Sequence, residues 1–152
     1  KTDITYMNAN HTVNIAKSDT DNIGVLNIRD ELKSLVRTEF KVDQIMDAQL
    51  DEAIETGKFF LYGQDKDVST LLKKAKRQTV VKLNNFIQST VGDAASADAV
   101  VFVGGGAEAL RDEIKEEMPH ATIPDDASYA NAIGMLIYMT FIDPQSDFRP
   151  VA

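Results

Sequence analysis

The chain has 152 residues, a formal net charge of -8 and a sequence pI near 4.7, so its surface is acidic. Such a surface repels phosphate backbones, which argues against direct nucleic-acid binding. The lack of Cys rules out disulfide and thiolate chemistry and fits a reducing cytoplasm, and no apolar run reaches the roughly 18 residues of a membrane span.

The 43 % hydrophobic fraction suits one compact domain or two small lobes with a real core. The chain opens KTDITYMN, polar and without Met. We therefore expect no signal peptide, and a piece processed or cut from something longer. His11 and His120 stand far apart with no partner at metal-ligand spacing, so they read as ordinary surface or turn residues.

In chain order, residues 3–7 (DITYM) and 11–16 (HTVNIA) are β-rich runs around Asn8-Ala9-Asn10, which predicts a hairpin. Residues 18–23 are polar and turn-like. A helix is predicted next, with Ile28, Leu32, Leu35 and Val36 on one stripe and Asp21 or Asn22 as its cap. A second helix is expected from Asp43, with Ile45, Met46, Leu50, Ala53 and Ile54 inward and Gly57 ending it. KFFLYG (58–63) reads as a strand, and 64–67 as a polar connection.

Asp67 or Ser69 then caps a long helix with Val68, Leu71, Leu72, Ala75, Thr79, Leu83, Phe86 and Ile87 on its apolar stripe. Lys73, Lys74, Lys76 and Arg77 lie mostly off that stripe, as on a solvated face or a partner contact. Residues 92–98 form a small-residue loop. A short buried strand is predicted at 99–103, a helix at 108–118 stopped by Pro119, and a short strand at 121–123. Pro124-Asp125-Asp126 is a turn and cap before an apolar helix at 129–141, and 143–152 read as a tail. Alternation of strands and helices at both ends implies an α/β sheet, with the middle of the chain as an inserted helical lobe.

The chemistry concentrates at Gly104-Gly105-Gly106, between a strand and a helix. Glycines allow close approach to the backbone, and the start of a helix favours an anion. A plain strand–helix turn remains the other reading. Gly104, Gly106 and Ala109 also satisfy G-x-G-x-x-A, the dinucleotide fingerprint, with Asp125 in the place of a ribose-binding acid. Only one helix is predicted after this unit, whereas a dinucleotide fold needs further strands.

Residues 98–110 (DAVVFVGGGAEAL) resemble the adenosine motif of the actin and Hsp70 superfamily of ATPases. Residues 130–138 (ANAIGMLIY) resemble the helix that follows it there, with Asn131 and Gly134 at matching places. Lys1-Thr2-Asp3-Ile4 is similar to the end of the second phosphate loop, and 19–25 (DTDNIGV) to the turn that brings a glycine, Gly24, near the nucleotide. Spacing within the superfamily resembles the plasmid-segregation actins of the ParM or StbA type, over nearly the whole chain but as the second half of such a protein.

The resemblance implies an actin-like, ribonuclease H-like α/β sheet subdomain formed by 1–41 plus 92–152. Residues 42–91 would be an inserted, mainly helical subdomain. A complete member would bind ATP or ADP with Mg²⁺ between two domains, polymerise in the cytoplasm and hydrolyse ATP. It would meet DNA through a DNA-binding adaptor protein rather than directly. Carried over residue by residue, Lys1, Thr2 and Asp3 would end the phosphate loop, with Lys1 where Thr is usual. Gly24 would lie near the nucleotide. Gly104, Gly105, Gly106 and Ala107 would pass under the adenosine and its α-phosphate, and Glu55, Thr56 and Lys58 would neighbour the adenine or ribose. No catalytic residue and no direct metal ligand is expected in this piece, which alone should be inactive. The alternatives are another actin-fold enzyme, such as a sugar or acid kinase or a chaperone-type ATPase, and a non-catalytic interaction module.

Overall fold

The computed structural model describes residues 1–92 and 97–142. The chain divides into two compact units, Lys1–Asp98 and Ala99–Ala152. The residues 93–96 of the predicted loop and the predicted tail at 143–152 lie outside the described residues.

The first unit opens on β1 (Thr2–Ile4), paired antiparallel with β2 (Asp19–Asp21) in the register Thr2↔Asp21 and Ile4↔Asp19. The hairpin is therefore wider than predicted. Its tip is the turn at Asn8–His11, closed by Asn8 N–H donating to Thr12 O at 2.9 Å and steadied by a single bridge between Met7 and Val13. A 3₁₀ turn, Ile15–Lys17, interrupts the run that sequence alone made a strand. Polar 19–21 form the strand instead, because pairing with β1 satisfies their backbone.

Helix α1 (Val25–Phe40) buries Ile28, Leu32 and Val36 completely. Its cap is Gly24 rather than Asp21 or Asn22. Asn27 Oδ1 reaches back to accept the Gly24 N–H at 2.7 Å while Asn27 N–H donates to Gly24 O at 2.9 Å. Helix α2 (Asp47–Thr56) starts later than Asp43, since Gln49 closes the same kind of box on Met46. Met46 is consequently exposed, while Ile45, Leu50 and Ala53 are buried. Gly57 ends α2 in the left-handed conformation, as expected.

The polar stretch 64–67 is a strand. β3 (Lys58–Leu61) and β4 (Gln64–Asp67) form a hairpin around Tyr62-Gly63, both at positive φ (51° and 78°). Two such residues make the tight turn whose twist suits a hairpin. Phe59 turns inward and is buried. Helix α3 (Ser69–Val91) follows, with Asp67 Oδ1 accepting the Ser69 N–H at 2.9 Å. Its stripe of Ala75, Thr79, Val80, Leu83 and Ile87 is buried, and α3 packs on α1. Thr79 is fully buried without penalty, because its hydroxyl donates to Ala75 O at 3.0 Å. Val80, Leu83 and Ile87, so buried, each contribute about 1.5–3 kcal/mol relative to exposure.

In the second unit the predicted strands shrink to one parallel bridge between Val101 and Thr122. Phe102 N–H donates to Thr122 O and Thr122 N–H to Val100 O, at 2.9 and 2.7 Å. Val101 and Val103 are 55 % and 42 % exposed, so the run is not the buried strand its composition suggests. Among the described residues of this unit it is paired along one edge only. The predicted helix at 108–118 starts earlier and is split into α4 (Gly105–Ala109) and α5 (Arg111–Glu117) at Leu110. A 3₁₀ turn, Ala127–Tyr129, leads into α6 (Ala130–Ile137), which continues as a π-type turn, Tyr138–Ile142. No residue of α6 is buried: Ile133, Met135, Leu136 and Ile137 are exposed, although so apolar a helix is ordinarily a covered one.

Candidate functional site

Two groups of the predicted residues assemble locally in the first unit. At the β1–α1 corner, Thr2 Oγ1 donates to Ile23 O at 2.8 Å, which ties the start of the chain to the residue before Gly24. Gly24 has an extended φ of 178°, so its need for glycine is steric: a Cβ there would stand 2.9 Å from the Lys1 backbone nitrogen. Lys1 Nζ lies 3.2 Å from Asp3 Oδ1. The Thr20 hydroxyl donates to the same carboxylate, and these contacts, Thr20 first, hold the exposed Asp3 carboxyl below the ordinary value of 3.8. Lys1, Thr2, Asp3 and Gly24 thus form one connected corner.

Glu55, Thr56 and Lys58 occupy another corner, where α2 gives way to β3. Thr56 Oγ1 donates to Glu52 O at 2.8 Å and accepts the Lys58 N–H at 3.2 Å, so Thr56 and Lys58 are coupled through the turn. All three side chains are exposed. Among the described residues no hydrogen bond joins this corner to Lys1–Gly24.

In the second unit Gly104 supplies the kink. Its φ of 94° lies where side chains are strained, and it is the residue before α4. Its N–H is already committed to Ala127 O at 2.6 Å, and the Ala107 N–H to Gly104 O at 3.1 Å. Gly105 and Gly106, the first two positions of α4, are the donors with no acceptor along the helix. A Cβ on Gly104 or Gly106 would meet nothing within 4 Å, so the backbone is open on that side. Donors at a helix start with open space beside them fit an anionic or polar group such as a nucleotide phosphate or ribose.

The sequence reading missed the residues that brace these turns. The Ser128 hydroxyl donates to Glu108 in the first turn of α4, and Arg111 donates to Ile123 O and Pro124 O at 3.0 and 2.7 Å. Asn27 was findable, because an amide three residues after a cap is a reciprocal-capping signal. Ser128 and Arg111 were not, since their partners are distant in sequence.

The chain belongs to the MreB-like family of archaeal actin homologues, as its C-terminal domain: the description of that family, "Archaeal actin homologue MreB-like, C-terminal", matches residues 1–116. The fold is accordingly actin-like. A ParM from Clostridium botulinum, solved as a 15-stranded filament, superposes with a TM-score of 0.72 at 24 % identity, over 91 % of this chain and 41 % of its own. An archaeal actin homologue superposes with a TM-score of 0.70 at 18 % identity, over 87 % of this chain and 42 % of its own. The complex of an archaeal actin homologue with ADP gives a TM-score of 0.65 at 19 % identity, over 87 % and 43 %. The chain therefore spans about two fifths of the length of these proteins. No curated protein matches it. Gly104, Gly106 and Ala109, the apparent dinucleotide fingerprint, lie in an actin fold. Among the described residues no helix is long and apolar enough to cross a membrane.

Proposed function

We propose that this chain is the nucleotide-binding half of a filament-forming, actin-like ATPase that serves plasmid or DNA segregation through a DNA-binding adaptor. The observation that carries the reading is the Gly104 kink, which leaves the Gly105 and Gly106 N–H groups unpaired by α4, with open space beside Gly104 and Gly106, on an actin fold. That an archaeal actin homologue was solved with ADP, and a ParM as a filament, supports nucleotide and self-association respectively.

In this reading Gly104–Gly106 and Ala107 hold the adenosine and α-phosphate end of ATP or ADP through backbone groups. Lys1 and Thr2 lie toward the phosphates, with Asp3 bracing their loop, and Gly24 lets that loop pack closely. Glu55, Thr56 and Lys58 border the base or ribose. Residues 42–91 act as a lobe inserted into the sheet subdomain of 1–41 and 92–152. Bound Mg²⁺ offsets phosphate charge, and water activation comes from the other half of the parent. The test is light scattering of the full-length protein. Polymer that forms with ATP and decays on hydrolysis is expected, and a monomer under every nucleotide condition would sink the reading.

A further inference from the structure

Helix α3 carries five Lys or Arg residues and no Asp or Glu, in a molecule of net charge -8. Against α1 it borders an open groove of about 360 Å³, lined among the described residues by Glu31, Lys74, Arg77, Gln78, Val81 and Lys82. Arg77, Gln78 and Val81 follow Lys74 by three, four and seven positions, so the four form one stripe along the helix. The stripe has two unlike ends. At one, Lys74 and Arg77 are exposed and have no carboxylate partner among the described residues. At the other, Glu31 holds Lys82 at 2.5 Å, so their charges cancel. Val81, beside Lys82 in the chain and 43 % exposed, puts an apolar surface at that neutral end. The exposed amide of Gln78 stands between the two.

We propose that this groove docks a short acidic segment of a partner protein, one that carries paired carboxylates and, a few residues away, an apolar side chain. The proposal stands apart from the nucleotide site and from filament formation. Lys74 and Arg77 take the carboxylates, Arg77 through its planar fork of donors. Gln78 offers both a donor and an acceptor to the backbone of the segment. Val81 takes the apolar side chain. Charge complementarity selects the chemistry of the occupant, and the reach of the charge selects its length. The field of exposed charges fades within a Debye length, about 8 Å at physiological salt. A segment confined to the groove therefore meets Lys74 and Arg77, whereas a long polyanion runs on over a molecule of net charge -8. A phosphate backbone also brings no apolar side chain to Val81. A lipid surface is excluded by shape, because the cations line a groove between two helices and not a flat face. From Lys74 to Val81 the helix rises about 10 Å, the span of about three extended residues or two turns of a partner helix.

The test uses the full-length protein and a panel of short fluorescent peptides, each with two Glu residues and one Leu at a different spacing, read by anisotropy. At least one peptide should bind the wild type. Lys74→Glu with Arg77→Glu should weaken that binding roughly tenfold or more while the melting curve stays unchanged. Lys74→Gln with Arg77→Gln should give an intermediate loss. Replacing the Leu of the peptide by Ser should weaken binding to the wild type and leave binding to Val81→Ser unchanged. Lys41→Glu with Lys66→Glu, an equal change of charge away from α3, should bind as wild type. Binding by no peptide overturns the proposal, as does equal binding by the α3 reversal or equal loss in the control. A single-stranded DNA or an anionic vesicle that binds through Lys74 and Arg77 more tightly than every peptide overturns it as well. So does self-association, read by sedimentation, that the α3 reversal abolishes, since the groove would then belong to a second copy.

Discussion

Single residues set the geometry of the proposed site. Gly104 sits at a φ of 94° and a ψ of 167°, a region essentially confined to glycine, where an L side chain costs about 1–3 kcal/mol. Gly104→Ala should therefore lower the thermal stability of the chain by about that amount and weaken ADP binding by the full-length protein, read by calorimetry. A change in neither would remove Gly104 from the site. Three exposed carboxyls behave differently. Asp3 is lowered first by the Thr20 hydroxyl, Asp47 by its hydrogen bond from Lys33, and Asp67 by the Ser69 backbone N–H. A lowered folded-state value means that their stabilisation is present above the ordinary value of 3.8 and is lost as pH falls through the folded values. Denaturation midpoints should drop as pH falls from about 5 towards 3, and Asp67→Ala should flatten part of that drop while lowering stability at neutral pH. Unaltered acid sensitivity in Asp67→Ala would remove the Asp67 cap from the explanation.

At the level of elements, the α1–α3 pair holds the first unit together. Leu32 is fully buried between the stripes, so Leu32→Ala should cost about 2–5 kcal/mol in urea denaturation, far more than any exposed α1–α2 ion pair. Those pairs, Lys33 with Asp47 at 3.1 Å and Arg29 with Asp51 at 3.4 Å, are exposed and screened by solvent, so they add little. The β3–β4 turn carries a mismatch: Tyr62 holds a φ of 51° while 82 % exposed. Asn tolerates that conformation better, so Tyr62→Asn should raise the melting temperature. A fall in the melting temperature would show that the ring makes contacts outweighing the backbone strain.

For the whole molecule, the chain is a C-terminal actin-homologue domain about two fifths the length of its structural neighbours. Phosphoryl transfer depends on positioning from both sides of the phosphates. Purified residues 1–152 should accordingly show no steady ATP hydrolysis, measured by phosphate release. Turnover by this piece would contradict the proposal that water activation comes from elsewhere in the full-length protein.

Local chemistry alone carried much of this. The i, i+3, i+4 stripes of α1 and α3, the stop at Gly57 and the glycine kink at 104 all depend on neighbours within a turn or two, and each was legible from the sequence. The motif order from Lys1 to Tyr138 likewise points to the actin fold. Tertiary structure decided the rest, because pairing partners lie far apart along the chain. Polar 19–21 and 64–67 became strands only because β1 and β3 satisfied their backbones, while the apolar run at 99–103 kept a single bridge to Thr122. Composition says what a segment prefers to bury. Only the folded chain says which backbone groups are left to pair with it.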